Sequence, residues 1–342
     1  MPAAPKQRRN VTLAEVALRA GVSVMTASRA LSNPAVVSAE TRDKVLKAVE
    51  ATGYIPNLAA GSLRSRRSKL IACLVPTIAS GSAFLLALHA MTAVFEEAGY
   101  QVLLGERGYD RSRDDAIVDA ALARRPDGIV LTGVMQSPSA RKRLKATGIP
   151  VVETWEMSDS PMDMLVGFSH HEIGLAVARY FHAQGRRKVA SVSSTEHRSA
   201  TRFKAFREEA IRLGIAGKDL REGSFLTLES PSSLGHGRRG LAHALEVQGA
   251  VDAMYCPTDL VAIGAIMEAQ VRGLRIPQDL AILGFGDFDF AGDVVPALST
   301  VHVDSTEIGQ RAAEMLIARL EGRRIPRKVV DVGFSIVQRH SG

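Results

Sequence analysis

Between Val11 and Gly53 apolar residues recur at the three-and-four spacing of short amphipathic helices. Thr12-Leu-Ala-Glu15 has the Thr-x-x-Glu form of a capping box, so a helix is expected to begin there with Leu13, Val16, Ala17 and Ala20 on one face. Gly21-Val22 interrupts the pattern, and Ser23 is placed to cap a second helix from Val24 to Leu31. Ser38-Ala-Glu-Thr41 opens a third, which ends at Gly53 and turns Val45, Leu46 and Val49 inward. Two short helices across a tight glycine-containing turn, with a third closing a small core, predict an all-α helix-turn-helix headpiece.

From Leu70 the pattern changes to apolar runs separated by helical segments. Leu70–Pro76, Tyr100–Leu104, Gly128–Leu131, Ile149–Val152, Lys188–Val192, Val251–Tyr255 and Leu280–Gly284 read as buried strands. Phe84–Ala98, Ser112–Arg124, Glu172–Gln184, Thr201–Leu213 and Asp259–Arg272 read as the helices between them. Such alternation predicts an α/β body of parallel sheets covered on both faces, with any ligand beyond the carboxyl ends of the strands.

Charge adds a second contrast between the two parts. The first 70 residues hold twelve Lys/Arg and four Asp/Glu, a net of +8, whereas the whole 342-residue chain carries +7. The body is therefore close to neutral, and a basic appendage on a neutral body calls for a polyanionic partner. No run is long and apolar enough for a transmembrane helix, and no apolar segment follows the charged N-terminus as in a secretory signal. Cys73 and Cys256, the only two cysteines, both lie in apolar segments, which fits buried inert thiols, a reducing cytoplasm and no zinc site.

A helix-turn-helix of this kind presents the N-terminal side chains of its second helix to base edges in the major groove. Here these are Val24, Met25, Thr26, Ser28 and Arg29. Arg29 has the fork to grip guanine O6 and N7, and Val24 and Met25 offer apolar contact to thymine methyls. Thr12, Thr26, Ser28 and Asn33 are placed for phosphate oxygens, which fix register without reading sequence. The run from Val11 to Asn33, with Val37–Arg42 and Gly53-Tyr-Ile-Pro-Asn57, resembles the headpiece of the LacI/GalR family of bacterial repressors. The resemblance implies that the stretch after Tyr-x-Pro-Asn forms a hinge helix in the minor groove, where a leucine from each of two subunits wedges open a base step. In this chain that stretch runs from Asn57 to Arg64, making Leu63 the wedge, flanked by Ala60 and Arg64. Gly61 costs such a helix about 1 kcal/mol against alanine, so it is expected to form only on DNA.

The resemblance extends to the body through Gly128-Ile-Val-Leu, Gly148-Ile-Pro-Val-Val, Arg202-x-x-x-Phe206, Thr258-Asp-Leu-Val-Ala-Ile-Gly-Ala and the run from Gly284 to Thr300. It implies a two-lobed periplasmic-binding-protein-like (type I) domain, crossed three times by the chain, with an effector between the lobes. Arg202 matches the family arginine that reaches the effector, and Arg198 lies one turn before it; paired guanidiniums favour an anion. Glu153 and Trp155 follow another strand end, where the single tryptophan suits either stacking on a polyol or packing in the core. Thr258 stands where the family usually has asparagine, and Gly286 where many members carry an aspartate that grips sugar hydroxyls. Segments including Pro76–Phe84, Val166–Phe168 and Gly284–Asp289 look most like gluconate and 2-ketogluconate repressors, which adds Ser80, Ser82, Phe84 and Asp287 to the expected effector residues.

Motifs for catalysis are missing: there is no phosphate-binding Gly-x-x-x-x-Gly-Lys, no His-Glu-x-x-His, no Gly-x-Ser-x-Gly and no Cys-x-x-Cys. His170-His171-Glu172 reads as a helix cap with solvent-facing histidines. The resulting expectation is a non-enzymatic, cytoplasmic repressor without cofactor or metal, a homodimer on a pseudo-palindromic duplex operator, answering to a sugar acid. Regulators of neutral sugars or purines, and a sugar-binding protein without a repressor role, are the alternatives. The expected divisions are 1–56 for the headpiece, 57–69 for hinge helix and linker, and 70–342 for effector binding and dimerisation. Leu63→Ala is expected to abolish operator bending in a circular-permutation gel shift; full bending by that variant rejects the wedge.

Overall fold

In the computed structural model, which describes residues 11–55, 67–78, 84–108 and 111–342, Thr12 opens the first helix by a reciprocal cap. Its hydroxyl accepts the Glu15 backbone N–H, and its own N–H is donated to the Glu15 carboxylate at 2.7 Å. Asn57, Ala60, Leu63, Arg64, Ser80 and Ser82 lie outside the described residues. By backbone contacts the chain separates into two units, Met1–Ser68 and Lys69–Gly342.

The first unit is built from α1 (Leu13–Ala20), α2 (Val24–Ser32) and α3 (Ala39–Thr52). Gly21 ends α1 at φ 67°, a conformation that costs glycine little. Ser23 and Ser38 cap the next two helices as their positions in the sequence require. Val16, Ala17, Ala27, Ala30, Val45 and Ala48 form the core, with Leu13, Val22, Val49 and Tyr54 packed around it. Leu46, expected inside, is exposed, and Ala48 takes the inward position. The seam through Val45 and Ala48 keeps helical spacing, which carries Leu46 off that face.

The second unit holds two sheets. One contains β1 (Leu70–Val75), β2 (Gln101–Glu106), β3 (Gly128–Thr132), β4 (Val151–Thr154), β5 (Met164–Gly167) and β12 (Val329–Asp331), in the order β12-β5-β4-β3-β1-β2. All five of its pairings are parallel. The other contains β6 (Val189–Ser191), β9 (Ala253–Tyr255), β10 (Ala281–Phe285), β11 (Ser299–His302) and β13 (Ser335–Val337), in the order β13-β11-β10-β9-β6. Only β13 in that sheet runs antiparallel. A short parallel pair, β7 (Ser193–Ser194) with β8 (Thr227–Leu228), stands beside it.

Helices α4 (Phe84–Glu97), α5 (Asp114–Leu122) and α6 (Pro138–Thr147) follow strands of the first sheet. Helices α7 (His170–Ala183), α8 (His197–Arg212), α9 (Lys218–Glu222), α10 (Leu234–Gln248) and α11 (Asp259–Val271) follow in the second. Helix α12 (Ser305–Leu320) returns to the first lobe, so the chain crosses at 167–170, 302–305 and 331–335. All seven strands expected from the apolar runs are present with shifted ends. Helix α8, expected from Thr201, instead starts at His197, because the Glu196 carboxylate caps it by accepting the Ser199 N–H at 2.8 Å.

One hydrophobic core runs through both lobes, from Ile71 and Val152 in the first to Val189 and Leu283 in the second, by way of Trp155, Phe168 and Phe285. Among the described residues, no helix is long and apolar enough to cross a membrane. Helices α7 and α8 cross closely at Gly174, where a Cβ would fall on the Arg202 carbonyl oxygen and within 2.7 Å of the Phe206 nitrogen. Gly174→Ala is expected to destabilise the second unit by about 1–3 kcal/mol through overpacking. The check is an earlier urea midpoint in Trp155 fluorescence; an unchanged midpoint shows that the two helices separate without cost.

Candidate functional site

On the first unit, the N-terminal end of α2 presents Val24 at 49% and Met25 at 60% exposure, beside an exposed Arg29. Large apolar side chains held in water beside a guanidinium form a surface suited to a groove with methyl groups and acceptors. Arg29 has no ion-pair partner among the described residues, so its fork is open to a ligand. Thr26 and Ser28 are half-buried, and Asn33 is exposed at the end of the helix. The Thr26 hydroxyl lies 2.8 Å from that of Ser23. Thr12 is occupied by its own cap, its hydroxyl 3.3 Å from the Glu15 carboxylate.

In the second unit, the carboxyl ends of both sheets converge on a charged cluster. Arg198 and Arg202 occupy the first turns of α8 and are both buried rather than on a surface loop. Arg198 Nε donates to the Glu196 carboxylate at 2.7 Å, and its guanidinium lies 4.8 Å from the Phe84 ring centre. Arg107, just past β2, reaches the Asp114 carboxylate at 3.2 Å and the Thr132 carbonyl at 3.1 Å. These two arginines therefore have acids of their own.

Arg202 does not. It is 4% exposed, yet among the described residues no carboxylate lies within ion-pair distance of it. Nη2 donates to the Pro257 carbonyl at 3.0 Å, Nη1 lies 2.9 Å from His170 Nδ1, and the guanidinium sits 3.7 Å from the Phe285 ring centre. Its Nε reaches no acceptor among the described residues, and neither does Trp155 Nε1. Burial of a cation without a counter-charge costs several kcal/mol, and buried donors without acceptors cost about 1–3 kcal/mol each. An anion rich in oxygen acceptors would relieve both.

Of the two histidines read as solvent-facing, His171 is exposed but His170 is buried at 5% exposure. It shares the buried face of α7 with Ile173, Val177 and Phe181, and that spacing was the available signal. Burial, and then the Arg202 and Arg198 charges, holds its imidazole well below the ordinary range, so it is neutral. Trp155 packs edge-on against Phe84 at 4.8 Å and Phe168 at 5.8 Å. Its ring thus belongs to the core, with the N–H edge unsatisfied and a backbone φ of 72°, rare for a bulky residue.

Three expected residues are otherwise engaged. Glu153 lies within β4 rather than beyond its end, so its carboxylate is sealed beneath α6, accepting Arg141 Nη1 at 3.0 Å and the Met162 N–H at 2.8 Å. Burial pushes that carboxyl up despite those bonds. Thr258 caps α11 by accepting the Val261 N–H at 3.4 Å. Asp287 is taken by His302 Nδ1 at 2.9 Å and Arg339 Nη2 at 2.7 Å. Next to these, Asp259 pins the loop that follows Phe285, accepting the Thr300 hydroxyl at 2.6 Å and the Phe288 N–H at 2.9 Å. Burial pushes its carboxyl up to about 6.

Arg107, Glu196, Phe285 and the Pro257 carbonyl were not singled out from the sequence. Arg107 follows a strand end, and the rule that ligands lie beyond the carboxyl ends of strands could have found it. Glu156, past the end of β4, faces His197 Nε2 at 3.2 Å and so links the first lobe to α8. Both cysteines are free and buried, which pushes the Cys73 thiol up to about 12 and raises that of Cys256 as well. No group of three or more His, Cys, Asp or Glu among the described residues could hold a metal ion.

Residues 12–57 match bacterial regulatory proteins, lacI family, and residues 178–342 match a periplasmic binding protein-like domain. The HTH-type transcriptional regulator GntR of Pseudomonas aeruginosa is 36% identical over 331 residues, spanning 96% of this chain and 95% of that protein. A LacI family transcriptional regulator from Silicibacter pomeroyi has a TM-score of 0.88 at 29% identity, covering 97% of this chain and 99% of that one. The lac repressor dimer bound to operator and the anti-inducer ONPF has a TM-score of 0.82 at 25% identity, covering 97% and 99%.

Glu196 supplies a pH test of the charged cluster. Burial pushes its carboxyl up, but Arg198, Arg202 and the Ser199 N–H more than reverse this, to about 2 against an ordinary 4.5. A carboxyl lowered in the folded state stabilises above its unfolded pKa and loses that contribution as pH falls toward about 2. Glu196→Gln is expected to shrink the acid-side fall in unfolding free energy between about pH 5 and pH 3, by about 2 kcal/mol. The measurement is urea unfolding by Trp155 fluorescence, and an identical acid limb in the variant contradicts the assignment.

Proposed function

The chain belongs to the lacI family of bacterial regulatory proteins, and we propose that this transcriptional repressor senses a sugar acid, such as gluconate or 2-ketogluconate, between its two lobes. The observation that carries the reading is the buried Arg202 guanidinium, which has no carboxylate partner among the described residues while Arg107 and Arg198 have theirs. With His170 neutral, Arg107, Arg198 and Arg202 set against Asp114 and Glu196 leave one positive charge on Arg202, which a monocarboxylate matches. Hydroxyl and carboxylate oxygens of the same ligand suit the unsatisfied N–H groups of Arg202 and Trp155. Neutral sugars would leave the charge uncompensated. The resemblance to sugar-acid repressors in the segments around Phe84, Phe168 and Phe285 supports the same ligand class.

We assign 1–56 to DNA reading, 57–69 to hinge and linker, and 70–342 to effector binding and dimerisation. In this reading two subunits place α2 in successive major grooves of a pseudo-palindromic operator. Arg29 grips a guanine, Val24 and Met25 meet thymine methyls, Thr26, Ser28 and Asn33 contact phosphates, and Leu63 enters the minor groove. A ligand that prefers one arrangement of the lobes changes operator affinity through the hinge, a coupling of about 1–3 kcal/mol.

A thermal-shift screen of gluconate, 2-ketogluconate, neutral sugars and purines tests the effector class. An acid at 100 times its dissociation constant is expected to stabilise the second unit by about 2.7 kcal/mol. Arg202→Ala should remove that shift, whereas Arg29→Ala should lose about 1–3 kcal/mol of discrimination at a single operator base pair. Stabilisation by a neutral sugar or purine alone, or a full acid shift in Arg202→Ala, rejects the reading.

A further inference from the structure

Arg202 is held in place by a neighbour whose protonation can be worked out atom by atom. His170 Nε2 lies 2.8 Å from the Trp155 carbonyl, which only accepts, so Nε2 carries the proton. Nδ1 lies 2.9 Å from Arg202 Nη1, which only donates, so Nδ1 must present its lone pair. Both bonds exist together only in one neutral tautomer. The ring is enclosed by Phe168 at 4.7 Å and Phe285 at 6.3 Å. The charged groups facing it are Arg202 and Arg198 from α8 and Glu196 at the cap of that helix. Two cations outweigh one acid, and a second proton would turn an N–H toward the Arg202 guanidinium.

We propose that His170 is a positioning residue for effector recognition, a neutral Nε2–H imidazole that orients Arg202 and ties it to the Trp155 backbone. This rests on the reading of Arg202 as the effector's anion partner. Nη1 goes to His170, Nη2 to the Pro257 carbonyl and one face to Phe285, while Nε meets no acceptor among the described residues and is offered to a ligand oxygen. The left-handed turn at Trp155, just past β4 of the first lobe, points its carbonyl at His170. His170 itself is the first residue of α7, directly after a crossing between lobes. One imidazole therefore joins the strand end of one lobe to the ligand-facing arginine of the other.

Two measurements on the full chain test this. In long-range proton–nitrogen spectra of histidine-labelled protein without ligand, the imidazole missing from His170→Asn should show a proton on Nε2. It should stay neutral from about pH 7.5 to about pH 5.5, across the ordinary imidazole pKa. A proton on Nδ1, or titration near 6.5, overturns the proposal. Gluconate and 2-ketogluconate binding is then followed by Trp155 fluorescence. His170→Phe should weaken it about ten- to a hundred-fold, the loss expected for a hydrogen bond to a charged group. His170→Asn, whose amide oxygen can stand near the place of Nδ1, should recover most of the affinity, with a melting profile close to wild type. His170→Gln should not recover it. Unchanged affinity in His170→Phe overturns the positioning role alone. If neither acid binds the wild-type chain, the sugar-acid reading fails and this role fails with it.

Discussion

A guanidinium taken out of water must be compensated by something, and among the described residues the second unit compensates Arg202 without a carboxylate at ion-pair distance. It supplies an aromatic face, a backbone carbonyl and a neutral imidazole. Each is weaker than a carboxylate, and together they hold the cation while keeping its charge available. Arg198 shows the contrast on the same helix, one turn earlier, where Glu196 neutralises it directly. Among the described residues one arginine is buried with an acid and another without, and in the proposed reading the second is reserved for a ligand.

That reservation constrains the surroundings. Helix α8 can bring Arg202 to the lobe junction only because Gly174 lets α7 pass against its backbone. The loop after Phe285 stays in position because Asp259, the first residue of α11, accepts its Phe288 N–H and the Thr300 hydroxyl of β11. Trp155 adopts a left-handed backbone and finds no partner for its indole N–H among the described residues, while its carbonyl accepts the His170 Nε2–H. Strain and unsatisfied donors of this kind persist only where surrounding packing over-determines them. Here the packing is the aromatic contact of Phe84, Trp155, Phe168 and Phe285 within a core shared by both lobes. A change in what Arg202 holds is therefore felt on both sides of the junction.

The first unit works with far less material. Its buried core consists of small residues and two valines, Val16 and Val45, and its helices depend on their caps at Thr12, Ser23 and Ser38. Caps are worth about 1 kcal/mol each, a sizeable share of the stability of so small a core. This economy leaves the large apolar side chains of α2, Val24 and Met25, outside and available to a partner.

The sequence by itself determined whatever depends on near neighbours. Caps, glycine stops and helical spacing placed the three headpiece helices, apolar runs placed the strands around which the α/β body forms, and counting charges set a basic headpiece against a neutral body. Arg198 and Arg202 were also within reach, because Arg202 matches a family arginine and Arg198 lies one turn before it. Only the tertiary structure decided which polar residues share a low-dielectric space. His170 was taken for a surface residue because its cap position is visible locally, whereas the arginine and carbonyl that bury it come from other segments of the chain. Glu153 was given to the ligand because the strand was drawn two residues short, and Arg141, a helix away, owns its carboxylate. A charge becomes a site or a structural pair according to what three crossings of the chain bring beside it, and no periodicity records that.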